Sequence, residues 1–279
     1  MSVSTLTPDD LTISPRDRDF GRRASAGRWW VGGDPVATAI MNALSATFPE
    51  GEKFFIESVV KFKDRVEGPL KDQVKAFVRQ EAMHTREHVA FNAAVAKGGY
   101  DLAGIEERSL ARLSIARSRH PVAQLAVTAA MEHFTAILAY DILTNPRRLA
   151  GADPETAKLW KWHSIEEIEH KSVAYDVYLN VTKGLSPYRR WSIRTRIMAL
   201  TTYNFVRNMT GHVADLLRQD GLDPKAHRGR ALKILFGKGG MLRGQIGAYL
   251  SYYLPGFHPW KHDHRALIAS AEEELKLAA

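Results

Sequence analysis

An all-α fold is predicted by three features of the sequence. From about Pro35 onward apolar residues recur at three- and four-residue spacing, alternation at period two is nearly absent, and the pattern is broken at Gly and Pro positions. The expected helices cover roughly residues 35–47, 50–66, 70–98, 118–144, 154–183, 187–219, 228–236, 240–253 and 265–277. Pro49 and Gly51 separate the first two, and Gly68-Pro69 turns the chain into the third, which Gly98-Gly99 ends. Asn145-Pro146 with Gly151 closes the fourth, and Gly184 with Ser186-Pro187 closes the fifth. Four consecutive long helices between 50 and 183 read as a four-helix bundle. Residues 35–183 are taken as this bundle, 184–279 as a helical extension packed on it, and 1–34 as a polar arm tucking Trp29 and Trp30 against the body.

The 279 residues are enough to bury a sizeable core, and 45% hydrophobic with 25% charged residues is an ordinary globular balance. The absence of cysteine excludes disulfides, thiolate catalysis, Fe–S clusters and Cys-bound zinc, and suits a reducing, cytoplasmic setting. The N-terminal segment lacks an apolar core, so no signal peptide is expected, and no uncharged apolar run reaches the roughly 18 residues of a spanning helix. The net charge of +8 comes entirely from residues 184–279, which hold 15 Lys+Arg against 7 Asp+Glu, 15 − 7 = 8. The stretch 187–219 mixes Arg with a broad apolar face; it either lies peripherally on an anionic membrane or lids the bundle, and packing is the favoured reading. Nucleic acid is not an expected partner, since no helix-turn-helix, RRM or zinc-finger pattern accompanies the charge.

The chemistry is carried by helix 70–98. Positions 74, 77, 81, 84, 88, 91 and 95 form one stripe and read Val, Phe, Glu, His, His, Phe, Val, with Glu81, His84 and His88 where aliphatic residues belong. Helix 154–183 does the same with His163, Glu167 and His170. Each carries Glu-x-x-His, as Glu81/His84 and Glu167/His170, which puts a carboxylate and an imidazole on one side of a helix, one turn apart. Burying such groups is costly unless they are paired or hold a metal. Glu57 in FFIESVVKF and Glu132 in AVTAAMEHFTAIL add one acid from each remaining helix. The resulting Glu / Glu-x-x-His / Glu / Glu-x-x-His set is that of carboxylate-bridged dinuclear sites in ferritin-like bundles. Counting residues to the turns supports it: Glu57 and Glu81 lie about 11 and 12 residues from Gly68-Pro69, and Glu132 and Glu167 about 14 from the 145–153 connection, at matching heights.

Other polar residues receive blander readings. His88 is expected to support a ligand rather than bind metal, and His133 to pack or lie at the surface. Glu166 and Glu169 are solvated or supporting acids, Tyr175 and Tyr178 core aromatics, and Arg86 and Glu87 outward-facing. His258 and Trp260 in FHPW, with His262 and His264, suggest a docking or interface segment.

The segments NALSATFPEGEKFFIESV (42–59), RQEAMHTREH (79–88), WHSIEEIEHKSVAYDVY (162–178) and LPGFHPW (254–260) resemble the family called predicted metal-dependent hydrolases, a branch of the ferritin-like superfamily. The ligand pattern also resembles that of the di-iron arylamine N-oxygenases, which add a histidine four residues before the second Glu-x-x-His carboxylate, here His163 before Glu167. The metal set implied by that resemblance is Glu57, Glu81, His84, Glu132, His163, Glu167 and His170, with the four carboxylates as the catalytic candidates. Elsewhere the match to N-oxygenases is poor, so their substrate does not carry over.

Two ions held by oxygen and imidazole ligands suit iron or manganese. The ligand set implies a di-iron enzyme using O2 as co-substrate and an electron donor to oxidise a small, anionic or lipid-like molecule. The family name implies instead a metal-dependent hydrolase using a metal-bridging hydroxide. A non-catalytic metal-binding helical protein is the third alternative, and a homodimer is a candidate assembly.

Overall fold

The computed structural model describes residues 7, 8 and 10–277; residues 1–6 and 9 of the expected arm and the last two of the extension lie outside the described residues. The structure is all-helical, with no strand among the described residues. A short helix α1 (Phe20–Arg23) precedes α2 (Pro35–Val60), α3 (Pro69–Lys97), α4 (Ala103–Arg117) and α5 (Pro121–Thr144). Then come α6 (Pro154–His170), α7 (Val173–Val181), α8 (Pro187–Gln219), α9 (Arg228–Phe236), α10 (Ile246–Ser251) and α11 (Arg265–Leu277). The bundle pairs α2 with α3 and α5 with α6 and α7, while α8 lies across α2 and α5 and α11 packs on α6.

Three features depart from the sequence reading. Pro49 and Gly51 do not divide α2, which runs unbroken through both. A proline inside a helix leaves the carbonyl four residues earlier without its donor. Here that carbonyl, on Ser45, accepts instead from Asn92 Nδ2 of α3 at 3.1 Å. The segment 103–117, expected to carry no helix, is α4; only Ile105 and Ser109 of it are buried, so it lacks the apolar stripe that reveals a helix. The helix expected over 154–183 is interrupted between α6 and α7 at Lys171 and Ser172. Lys171 turns there toward the C-terminal segment, donating to the His262 carbonyl at 2.8 Å and lying over the Trp260 ring.

Helix α5 is long and apolar enough to cross a membrane, yet 72% of its most apolar window is buried inside the protein, as befits the central helix of a bundle. The arm wraps the outside of α3 and α6. Its Trp30 is buried and donates to Asn42 Oδ1 at 2.8 Å, but Trp29 is 41% exposed rather than tucked in. Gly21 lets α1 approach α3: a Cβ there would come within 2.2 Å of the Glu87 carbonyl oxygen. Glu87, expected to face outward, is buried and accepts the Gly21 backbone N–H at 2.7 Å. The FHPW segment is likewise internal, with His258 Nε2 2.9 Å from Asp176 Oδ1 and Pro259 and Trp260 buried.

Candidate metal centre

Six of the seven expected ligands converge. Glu81 and His84 point inward from α3, Glu132 from α5, and His163, Glu167 and His170 from α6, all buried. Glu57 does not join them. Its side chain is 45% exposed and forms a two-pronged pair with Arg117 of α4, at 2.7 and 3.1 Å. The carboxylate from α2 is Glu52 instead, which is buried. Five residues earlier on one helix is about 7.5 Å deeper and rotated by about 140°. The residue count to Gly68 failed because residues 61–68 are not α-helical, so they do not add height at the helical rate. The helical phase carries the missed signal: Ser45, Phe48, Glu52, Phe55 and Val59 form one stripe once α2 is continuous.

Donor atoms of these residues fall into three overlapping groups, each within 4.8 Å: Glu52, His84 and His163; Glu81, His84 and Glu167; and Glu81, Glu132 and His170. The first and last groups mark the two ends, and Glu81, His84 and Glu167 join them. Both oxygens of Glu52, Glu81 and Glu132, with His84 Nδ1, Glu167 Oε2 and His170 Nε2, are buried without a hydrogen-bond partner. Native interiors rarely tolerate such orphans, so their convergence fits metal ions as the missing partners.

Every imidazole is tied at its other nitrogen, which is how metal-binding histidines are oriented. His84 Nε2 lies 3.1 Å from Glu166 Oε2, and Glu166 Oε1 accepts the backbone N–H of Arg16 at 2.9 Å. His170 Nδ1 meets Gln80 Oε1 at 3.1 Å, while Gln80 Nε2 donates to Glu169 Oε2 at 2.9 Å. The Gln80 oxygen can only accept, so His170 carries its proton on Nδ1 and turns a lone pair of Nε2 inward. His163 Nδ1 lies 3.0 Å from His88 Nε2, and His88 Nδ1 lies 2.8 Å from Ser45 Oγ. The Ser45 hydroxyl donates to Asn92 Oδ1 at 2.6 Å. It therefore accepts from His88 Nδ1–H, so His88 Nε2 accepts from His163 Nδ1–H and His163 Nε2 faces inward as a lone pair. Rings brace the set: Phe48 stacks on His163, Phe77 meets His170 edge-on, and Trp162 meets His84 edge-on.

Without metal the cluster holds protons. Burial pushes Glu52 up to about 8, and burial reinforced by the Glu167 charge holds Glu81 and Glu132 well above the usual carboxylate range. Glu167 stays well below that range, because His170 and His163 outweigh its burial. Burial disfavours the His84 cation, but Glu166 and Glu167 overcome it and raise His84 to about 10. Burial, with the His84 charge nearby, lowers His163 to about 4, and burial beside His163 and His84 holds His88 well below its usual value.

The supporting residues sit close to expectation. His88, Glu166 and Glu169 form the layer behind the cluster, and both acids are buried rather than solvated. His133 is buried, with Nε2 3.0 Å from the Ala248 carbonyl. Tyr175 and Tyr178 are core residues whose hydroxyls donate to the Phe257 and Arg190 carbonyls. Gln80, Arg16, Ser45 and Asn92 were not foreseen, since their partners are distant in sequence and leave no local pattern.

A cavity of about 450 Å³ leads from the cluster to the surface. Glu52, His163 and Glu167 stand at its inner end, and one face of α8 supplies Thr201, Asn204, Phe205, Asn208, Met209 and His212 along its wall. The lining continues to exposed Ile115, Arg119 and Leu200, which place the mouth between the C-terminal end of α4 and the middle of α8.

A sequence family described as predicted metal-dependent hydrolase matches residues 14–263. The chain belongs to that family. The match takes in the whole cluster, from Arg16 behind it to the FHPW segment, so all the buried Glu and His groups lie within the matched region. No curated protein and no solved structure matches the chain.

Proposed function

We propose that the chain is a dinuclear metal-dependent hydrolase, with Glu52, His84 and His163 at one ion, Glu132 and His170 at the other, and Glu81 and Glu167 between them. The observation that carries the reading is that nine buried donor atoms without a hydrogen-bond partner, from six residues of four helices, converge on one place, whereas the other unpartnered buried atoms fall one to a residue. Four carboxylates balance two divalent cations, and the family supports hydrolysis. Bound ions would supply Lewis acidity and make water nucleophilic near neutral pH. The chain itself does the positioning. The cavity brings a substrate's reacting end to Glu52, His163 and Glu167, and its apolar wall keeps bulk water from the buried carboxylates. Glu52, at the junction of cavity and cluster, can hold or pass a proton at its carboxyl oxygens.

A second reading, O2-dependent oxidation over two iron ions, is favoured by the order His163, Glu167, His170 on one helix and by the apolar character of the cavity. One experiment separates the two. Protein purified anaerobically is analysed for metal, then assayed for ester and amide cleavage with manganese or zinc, and exposed to O2 with iron while absorbance is followed. Anaerobic cleavage supports hydrolysis; a visible band formed by Fe(II) and O2 supports oxidation; fewer than two ions per chain overturns both.

A further inference from the structure

We infer that the cavity takes an amphipathic carboxylate: a hydrocarbon chain along the wall, its anionic end at Arg112, and its neutral reacting end against Glu52, His163 and Glu167. The inference deepens the proposed function and rests on it for what happens at the inner end.

The wall is apolar along most of its length, with Leu44, Phe48, Phe55, Met131, Phe134 and Leu138 contributed by α2 and α5. An apolar cavity of this size is suited to a small molecule with a hydrophobic body. Charge is confined to the two ends. Towards the mouth, α4 and the residues just after it bring Arg112, which is half-buried, and Arg119, which is exposed. Neither guanidinium has a hydrogen-bond or ion-pair partner among the described residues. A half-buried arginine that lines a cavity and has no carboxylate partner of its own is a ready receptor for one. The inner end repels a second anion: its four carboxylates are only just balanced by two divalent ions and are in excess before metal binds. The anionic group therefore belongs at the outer end and a neutral group at the inner one.

Gly51 gives the chain its room. It sits inside α2 next to Glu52, and a Cβ built on it would meet nothing within 4 Å. Glycine weakens a helix interior relative to alanine. At this position the missing side chain leaves the passage to Glu52 open.

The test titrates the full chain, zinc-loaded and after chelation, with dodecanoate and with dodecanol, following displacement of a fluorescent fatty-acid probe. Dodecanoate is expected to displace the probe in both metal states and to bind more tightly than dodecanol. Arg112→Gln should weaken dodecanoate about tenfold while leaving dodecanol unchanged. Gly51→Leu should weaken both with helical content retained; Thr201→Phe, on the α8 wall, makes the same test from a second helix. No displacement by either ligand, or dodecanoate binding indifferent to Arg112→Gln, overturns the inference. Metal content is measured on the same samples. Chain binding without two ions overturns the metal reading alone, and two ions without chain binding overturns the substrate class alone.

Discussion

Asn92 Nδ2 donates to the carbonyl oxygen of Ser45 at 3.1 Å, the carbonyl that Pro49 leaves without a helical donor. The contact settles which way the Asn92 amide faces, so its oxygen accepts the Ser45 hydroxyl. Through Ser45 it sets the tautomer of His88, and through His88 that of His163. A proline in the middle of a helix thus reaches an imidazole of the candidate centre.

Replacing Asn92 by Leu strands the Ser45 carbonyl in the interior and removes the acceptor of the Ser45 hydroxyl proton, leaving that hydroxyl only His88 Nδ1. Each unsatisfied buried group costs about 1–3 kcal/mol. Urea unfolding is expected to show a loss in that range or above, together with weaker metal binding as His163 loses its fixed orientation. Unchanged stability would count against the relay.

Glu52 and Glu57 separate cleanly. Glu52→Ala should lose at least one bound ion by elemental analysis. Glu57→Ala should keep both and cost at most about 1 kcal/mol, because its pair with Arg117 is exposed. Full metal content in Glu52→Ala removes Glu52 from the centre.

Gln80→Leu removes the oxygen that holds His170 Nδ1. Losses of about 10- to 100-fold in metal affinity are usual when such a support is removed. Competition with a chromophoric chelator measures it, and affinity equal to wild type would show that Gln80 does not orient the ring.

Metal-free protein should lose stability as pH rises from about 6.5 to 8. Glu52, Glu81 and Glu132 have folded-state values above their unfolded ones, so the stability they lend is present at low pH and disappears as pH climbs through the folded values, about 8 for Glu52. His84, raised to about 10, acts in the same direction. His163 and His88, both lowered, oppose this only below about 6.5, where their unfolded forms protonate. Melting curves across this window should slope downward without metal and flatten with it; a rising slope in the metal-free protein would contradict the cluster electrostatics.

The all-α bundle and six of the seven converging residues were legible because Glu81/His84 and Glu167/His170 interrupt apolar stripes at helical spacing. Glu52 was not. Pro49 reads as a stop until its lost hydrogen bond is seen to be replaced from α3, and that replacement depends on packing. Helix α4 was hidden because most of it faces solvent, leaving no periodicity to read. The layer behind the imidazoles was hidden for another reason: Arg16 and Glu166 lie 150 positions apart, and Gln80 and Glu169 lie 89 apart.

The strap formed by Ser14 and Arg16 is stitched by main-chain amides and a guanidinium to Glu166 and Glu169, which themselves steady His84 and Gln80. Clipping the polypeptide between Arg16 and α1 would therefore loosen the grip on the ions from outside the bundle, without touching any residue that binds them.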